Sequence, residues 1–136
     1  MKFVMPVLWG VALLCASCQE SFDERCVRES REFTQKYCPK PVDDGIVLDS
    51  ATYDVTARTY SYWYTLSGRL DKADVREELK RQSDELKGKV LQSLKNSIAL
   101  KPYKDERISF SYVYVSDSLR KPFLRFTFAA KDYGAL

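Results

Sequence analysis

The chain has 136 residues and no histidine, which removes His-dependent nucleophile triads, imidazole metal sites and the usual near-neutral pH switch. The remaining groups that could do chemistry are carboxylates, cysteines and serines. Asp74 with Glu78, and Glu77 beside Glu78, are acid pairs of the kind glycoside hydrolysis uses across a cleft. Here they fall in the first turns of a helix-patterned segment, among Arg76, Lys80 and Arg81, and read as a solvated, dipole-favoured face. Asp43-Asp44-Gly45 lacks the ligand spacing of an EF-hand and reads as a turn. Ser109 and Ser111 have no His partner; a Ser–Lys arrangement stays open, although no motif marks one. No phosphate-binding glycine loop or nucleophile elbow is present. The expectation is that the chain is not an enzyme, has no catalytic residues, and takes neither metal nor cofactor.

Four cysteines stand at 15, 18, 26 and 38. If residues 22–37 form one helix, Cys26 and Cys38 lie about 18 Å apart at about 1.5 Å per residue. A disulfide needs Cα atoms within about 7 Å, so two thiols are expected. Two cysteines without histidine also make a poor metal set.

The aromatic residues form the other chemical signal: nine Tyr, seven Phe and two Trp. Tyr60, Tyr62 and Tyr64 recur at period two and read as sheet core, with a platform for a sugar or peptide as the alternative. Trp63 has the opposite parity, shared by Thr65, Val113 and Val115. These four residues are the candidate interaction surface on the outer sheet face. The alternative is a Trp half-exposed and supported by its neighbours, or one covered by the N-terminal segment.

The elements that must position these residues are legible as periodicities. Phe22, Cys26, Phe33 and Tyr37 predict a helix over 22–37, closed by Pro39 and Pro41. Strands are predicted over 46–54, with Ile46, Leu48, Ser50 and Thr52 on one face, and over 59–67, where bulky residues alternate. Asp71 is placed to cap a helix from Lys72 to about Ile98, bent near Gly88, with Val75, Leu79, Leu86, Val90, Leu94 and Ile98 inward. Strands over 107–116 and from Pro122 complete the order α-β-β-α-β-β. The fold class is α+β: a two-layer sandwich in which two hairpins make a four-stranded antiparallel sheet with both helices on one face.

The N-terminus carries an address. Lys2 precedes an apolar run from Phe3 to Leu14, about twelve residues, where a membrane span needs about 20. Cys15-Ala16-Ser17-Cys18 resembles the end of a bacterial lipoprotein signal, with Leu13 and Leu14 before it. The resemblance implies a signal peptide at 1–17, a lipidated N-terminus and short tether at 18–21, and one α+β domain at 22–136. By that resemblance Cys18 would carry the lipid, and multiple acylation would hold the protein to a membrane, because one acyl chain alone binds only marginally. The alternative is ordinary cleavage after Ser17, which leaves the same mature chain without lipid. The acidic residues after Cys18, the Leu48-Asp49-Ser50 string, and Tyr60 to Leu66 followed by a helix and a Phe/Tyr-alternating strand resemble small lipid-anchored envelope proteins of Bacteroidetes. That resemblance implies the cell envelope, at the outer membrane.

A net charge of +3, without a dense arginine block, argues against a nucleic-acid partner. The expected function is a non-catalytic envelope lipoprotein that meets membrane lipid through Cys18 and binds a protein, peptide or envelope polymer. The alternative is an inhibitor or protective factor presenting the turns at 54–58 or 116–121.

Overall fold

The computed structural model describes residues 19–134. The predicted signal peptide and Cys18 lie outside the described residues. Ser21 opens the first helix, α1 (Phe22–Tyr37), with a capping box: its side chain accepts from the Glu24 N–H, and Glu24 accepts from the Ser21 N–H. Glu20 is held to the same helix by Arg28, at 2.5 and 3.2 Å. The helix ends where predicted because Pro39 and Pro41 restrain the residues before them. Cys26 is buried and Cys38 half-buried, and both are free thiols.

Five strands follow, not four: β1 (Lys40–Asp43), β2 (Ile46–Asp54), β3 (Thr59–Leu66), β4 (Ser109–Ser116) and β5 (Lys121–Phe128). They lie side by side in chain order. β1 is short, exposed and carries Pro41, and an edge position tolerates a residue without N–H. Gly45 turns β1 into β2 at φ 78°, where a Cβ would sit 3.0 Å from the Ser67 carbonyl oxygen. The all-antiparallel expectation fails at one junction: β3 and β4 pair in parallel. A long helical crossover joins them, and that is the connection parallel strands require.

The crossover departs from the single predicted helix. A 3-10 turn (Gly68–Asp71) leads to α2 (Ala73–Arg81), α3 (Ser83–Asn96) and a short α4 (Lys101–Asp105). The break falls at Gln82, whose side chain reaches back to Glu78; Gly88 sits inside an unbroken α3. Asp71 is not a helix cap, since Lys72 occupies that position. Instead Asp71 is buried, accepting from Ser116 Oγ at 2.5 Å, the Ser118 N–H at 2.8 Å and Arg76 at 2.9 Å. It ties the start of the crossover to the end of β4. Ile98, expected on the inward line, lies past the end of α3 and is 87% exposed.

α1 covers β2, and α3 covers β5, on the same face of the sheet. Cys26 from α1 and Leu94 from α3 join Tyr53, Tyr60, Phe110 and Phe128 in one core. A bulge between Leu48 and Ser50 reverses the predicted parity of β2: Ala51 and Tyr53, not Ser50 and Thr52, share the Leu48 face. Without that extra residue Tyr53 would point into solvent and Thr52 into the core.

Candidate functional site

The four residues singled out from parity do come together. Parallel pairing sets Trp63 directly opposite Val113, and Thr65 opposite Val115, on the sheet face without helices. The expected exposed apolar patch needs correction, because Val113 is fully buried. The row running Ser50, Trp63, Val113, Arg125 explains this. The Arg125 guanidinium lies 5.7 Å from the centre of the Trp63 ring, and the two long side chains flank the small valine between them. Trp63 gives its indole N–H to Thr52 Oγ1 at 2.9 Å, and Thr65 gives its hydroxyl to Asp49. These two bonds pair the indole and the Thr65 hydroxyl within the face, and Trp63 is half-buried. The turns at 55–58 and 117–120 are tight, closed by Arg58 N–H to Val55 O at 3.4 Å and Arg120 N–H to Ser116 O at 2.8 Å. Neither projects as a long inhibitory loop.

The opposite face holds the more open chemistry. Two helices are too few to cover four long strands, so the tyrosine row of β3 and β4 lies partly uncovered between α1 and α3. Tyr62 stacks on Tyr112 at 5.4 Å and Tyr64 on Tyr114 at 5.1 Å, each pair created by the parallel register. Tyr60 and Tyr112 are buried, whereas Tyr62, Tyr64 and Tyr114 are half-buried. The core reading of the tyrosines therefore holds for part of the row only.

A groove of about 360 Å³ runs along this row between α1 and the 99–103 segment. Phe33, Tyr37 and Lys36 form one wall, Tyr103 the other, and Tyr60 and Tyr62 the floor. Phe33 and Tyr37 pack at 5.2 Å, with the Lys36 ammonium 5.3 Å from the Tyr37 ring. Tyr103 donates to Glu29 at 3.2 Å, and Arg25 pairs with Glu29 at 3.0 Å. Burial pushes the Tyr62 hydroxyl well above its ordinary pKa, with neighbouring tyrosines adding to the effect. Burial, then the Glu29 carboxylate, raises Tyr103 to about 12. Both hydroxyls are protonated donors at neutral pH, and among the described residues that of Tyr62 bonds to no protein group. Sequence periodicity brought out the tyrosines but not the groove, whose α1 and 99–103 walls are brought together by tertiary packing alone.

Among the described residues no cluster of three or more Cys, Asp or Glu could hold a metal ion, and no helix is long and apolar enough to cross a membrane.

No curated protein matches the chain. Its fold is similar to that of a Pseudomonas aeruginosa protein thought to be secreted, whose crystal structure superposes with a TM-score of 0.65 at 11% identity. The match covers 85% of this chain and 99% of that one. At that identity the likeness concerns the fold. The sequence family described as Domain of unknown function (DUF8479) matches residues 21–124, from the helix cap to the middle of β5, and the chain belongs to that family.

Proposed function

We propose that this chain is an exported, non-catalytic binding protein of the cell envelope, anchored through lipid on Cys18, that takes a protein, peptide or envelope polymer into the groove beside α1. The observation that carries the binding role is the groove itself. It combines flat aromatic surfaces, a free phenolic donor and a few charges, the mixture that recognises a chain with both apolar faces and hydroxyl or amide groups. The groups lining it offer hydrogen bonds and contact area, and its one hydroxyl–carboxylate contact, Tyr103 to Glu29, keeps the Tyr103 hydroxyl protonated. The leader and its Ala16-Ser17-Cys18 end support export and anchoring, and the Bacteroidetes-type resemblance supports the outer membrane.

Site-specific photo-crosslinking in the native host tests the reading. A photoreactive phenylalanine analogue at Tyr62 should form a discrete adduct with an envelope component, and Tyr37→Ala should weaken it. The same probe at Gln92, exposed on α3, is the control. Equal labelling at both positions would reject the groove as the site. Intact mass of the isolated protein tests the anchor: an acylated chain beginning at residue 18 is expected, and an unmodified Cys18 in a soluble product would exclude it.

A further inference from the structure

We infer that the crevice beneath α2 and α3 is a second binding site, one that takes the hydrocarbon chain of a single-chain carboxylate amphiphile. The crevice measures about 200 Å³ and shares no residue with the groove beside α1. Leu79, Leu86 and Val90 roof it, and Leu66, Leu124 and Phe126 lie beneath. The three roof residues stand on the inward line of their helices, yet each is only half-buried, because α2 and α3 do not close down on this end of the sheet.

The lining selects the chemistry. Its one polar side-chain group is the Tyr114 hydroxyl; no charge or amide side chain is present. A sugar or a peptide backbone placed there would leave polar groups unpaired at about 1–3 kcal/mol each. A hydrocarbon chain loses nothing of that kind and gains about 0.8 kcal/mol per buried methylene. The size is adequate, since an apolar cavity of about 150 Å³ lined by Leu, Ile and Phe accepts benzene.

The carboxylate is argued from a cation that flanks the roof. Lys87 directly follows the roof residue Leu86, and its ammonium lies 5.9 Å from the centre of the Phe128 ring. Phe128 is two residues beyond Phe126 on the same face of β5, about 7 Å along the strand. Among the described residues Lys87 pairs with no carboxylate, unlike Lys80, Lys89 and Lys101. An apolar recess with an unpaired cation near it is complementary to an alkyl chain that ends in an anion.

Calorimetric titration tests this, using the full chain as isolated from cells and held in phospholipid nanodiscs, with protein-free nanodiscs as the blank. The probes are octanoate, octanol and octylamine. Octanoate should bind saturably at one site, about tenfold more tightly than octanol and more tightly still than octylamine. Lys87→Gln should bring octanoate down to the octanol affinity. Leu79→Trp should abolish binding of both by filling the crevice; Val90→Phe serves if Leu79→Trp lowers the melting temperature. Absence of saturable octanoate binding to the unmodified protein would overturn the site. Equal affinity for octanoate and octanol, unaffected by Lys87→Gln, would overturn the assignment of the carboxylate.

Discussion

Replacing Trp63 with Ala removes three supports of the open sheet face at once. The indole N–H bond to Thr52, at 2.9 Å, is worth about 0.5–1.5 kcal/mol net. The Arg125 guanidinium over the ring contributes about 0.5–1 kcal/mol. The third support is cover for Val113, whose complete burial is worth about 1.5 kcal/mol, of which Arg125 and the neighbouring strands retain a part. The expected loss is therefore about 2–3 kcal/mol, or a fall in melting temperature on the order of 10 °C. Urea unfolding of Trp63→Ala, Arg125→Ala and the double variant measures it, and the cycle should return a coupling of about 0.5–1 kcal/mol. Trp63 is the one tryptophan after Trp9, so in the chain from residue 19 its fluorescence reports this site alone. Arg125→Ala should shift that emission to the red. A loss below about 0.5 kcal/mol would mean that Trp63 is a free platform. A loss of about 3–5 kcal/mol would mean that it is core. Either result, or zero coupling, refutes the account of Val113 held between Trp63 and Arg125.

Three further outcomes are expected. Leu94→Ala should cost about 2–5 kcal/mol because Leu94 is 1% exposed in the core, whereas Ile98→Ala, at 87% exposure, should stay within about 0.5 kcal/mol; paired thermal melts distinguish them. In the folded protein Cys38 should react with iodoacetamide well before Cys26, whose thiol burial raises to about 11; denaturation should expose both, and a peptide linking the two cysteines would contradict the helix boundary. Ser116, then the Ser118 N–H, holds the Asp71 carboxyl well below the usual range, so its stabilising contribution is present above about pH 4 and lost on acidification. Burial raises Tyr53, Tyr103 and Tyr114 to about 12, so their contribution is present below about pH 10 and lost as pH climbs towards 12. Urea midpoints against pH should show both flanks, and Asp71→Asn should flatten the acidic one only.

What the sequence disclosed, and what it withheld, divides along local and non-local causes. The first helix was legible from its apolar spacing and from the two prolines that stop it, whereas the capping box of Ser21 with Glu24 at its start came with the structure. β3 and β4 were legible because aromatic residues at period two have few other uses. The phase of β2 was not, since one bulged residue at Asp49 turns Tyr53 inward, and the bulge is set by pairing with Trp63 and Tyr64 across the ladder. The parallel junction followed from a crossover whose path local patterning does not encode. Asp71 looked like a cap because caps are short acids before apolar runs, yet two of its three partners, Ser116 and Ser118, lie 45 and 47 positions away. The Trp63 surface was found by parity, but the burial of Val113 depends on Arg125 from a third strand. The groove and the crevice are consequences of coverage: two helices laid over β2 and β5 leave the sheet between them partly open, and periodicity carries no count of how much area a helix shields.

The Glu20–Arg28 contacts and the Ser21 cap have a consequence for how the molecule would stand at a membrane. They fasten the chain to α1 from Glu20 onward, so a lipid on Cys18 would have only Gln19 as slack, a reach of about 7 Å. That end of α1 lies beside Tyr53 and Arg58, where β2 ends and β3 begins. The apolar crevice lies at the other end of the same strands, by Ile46 and Leu66, about 23 Å away along β3. A leash this short would keep the Tyr53–Arg58 end close to the headgroups. With its strands upright on that root, the protein would hold its hydrocarbon-lined recess about a sheet's length above the lipid headgroups, where it would meet solutes and not its own bilayer.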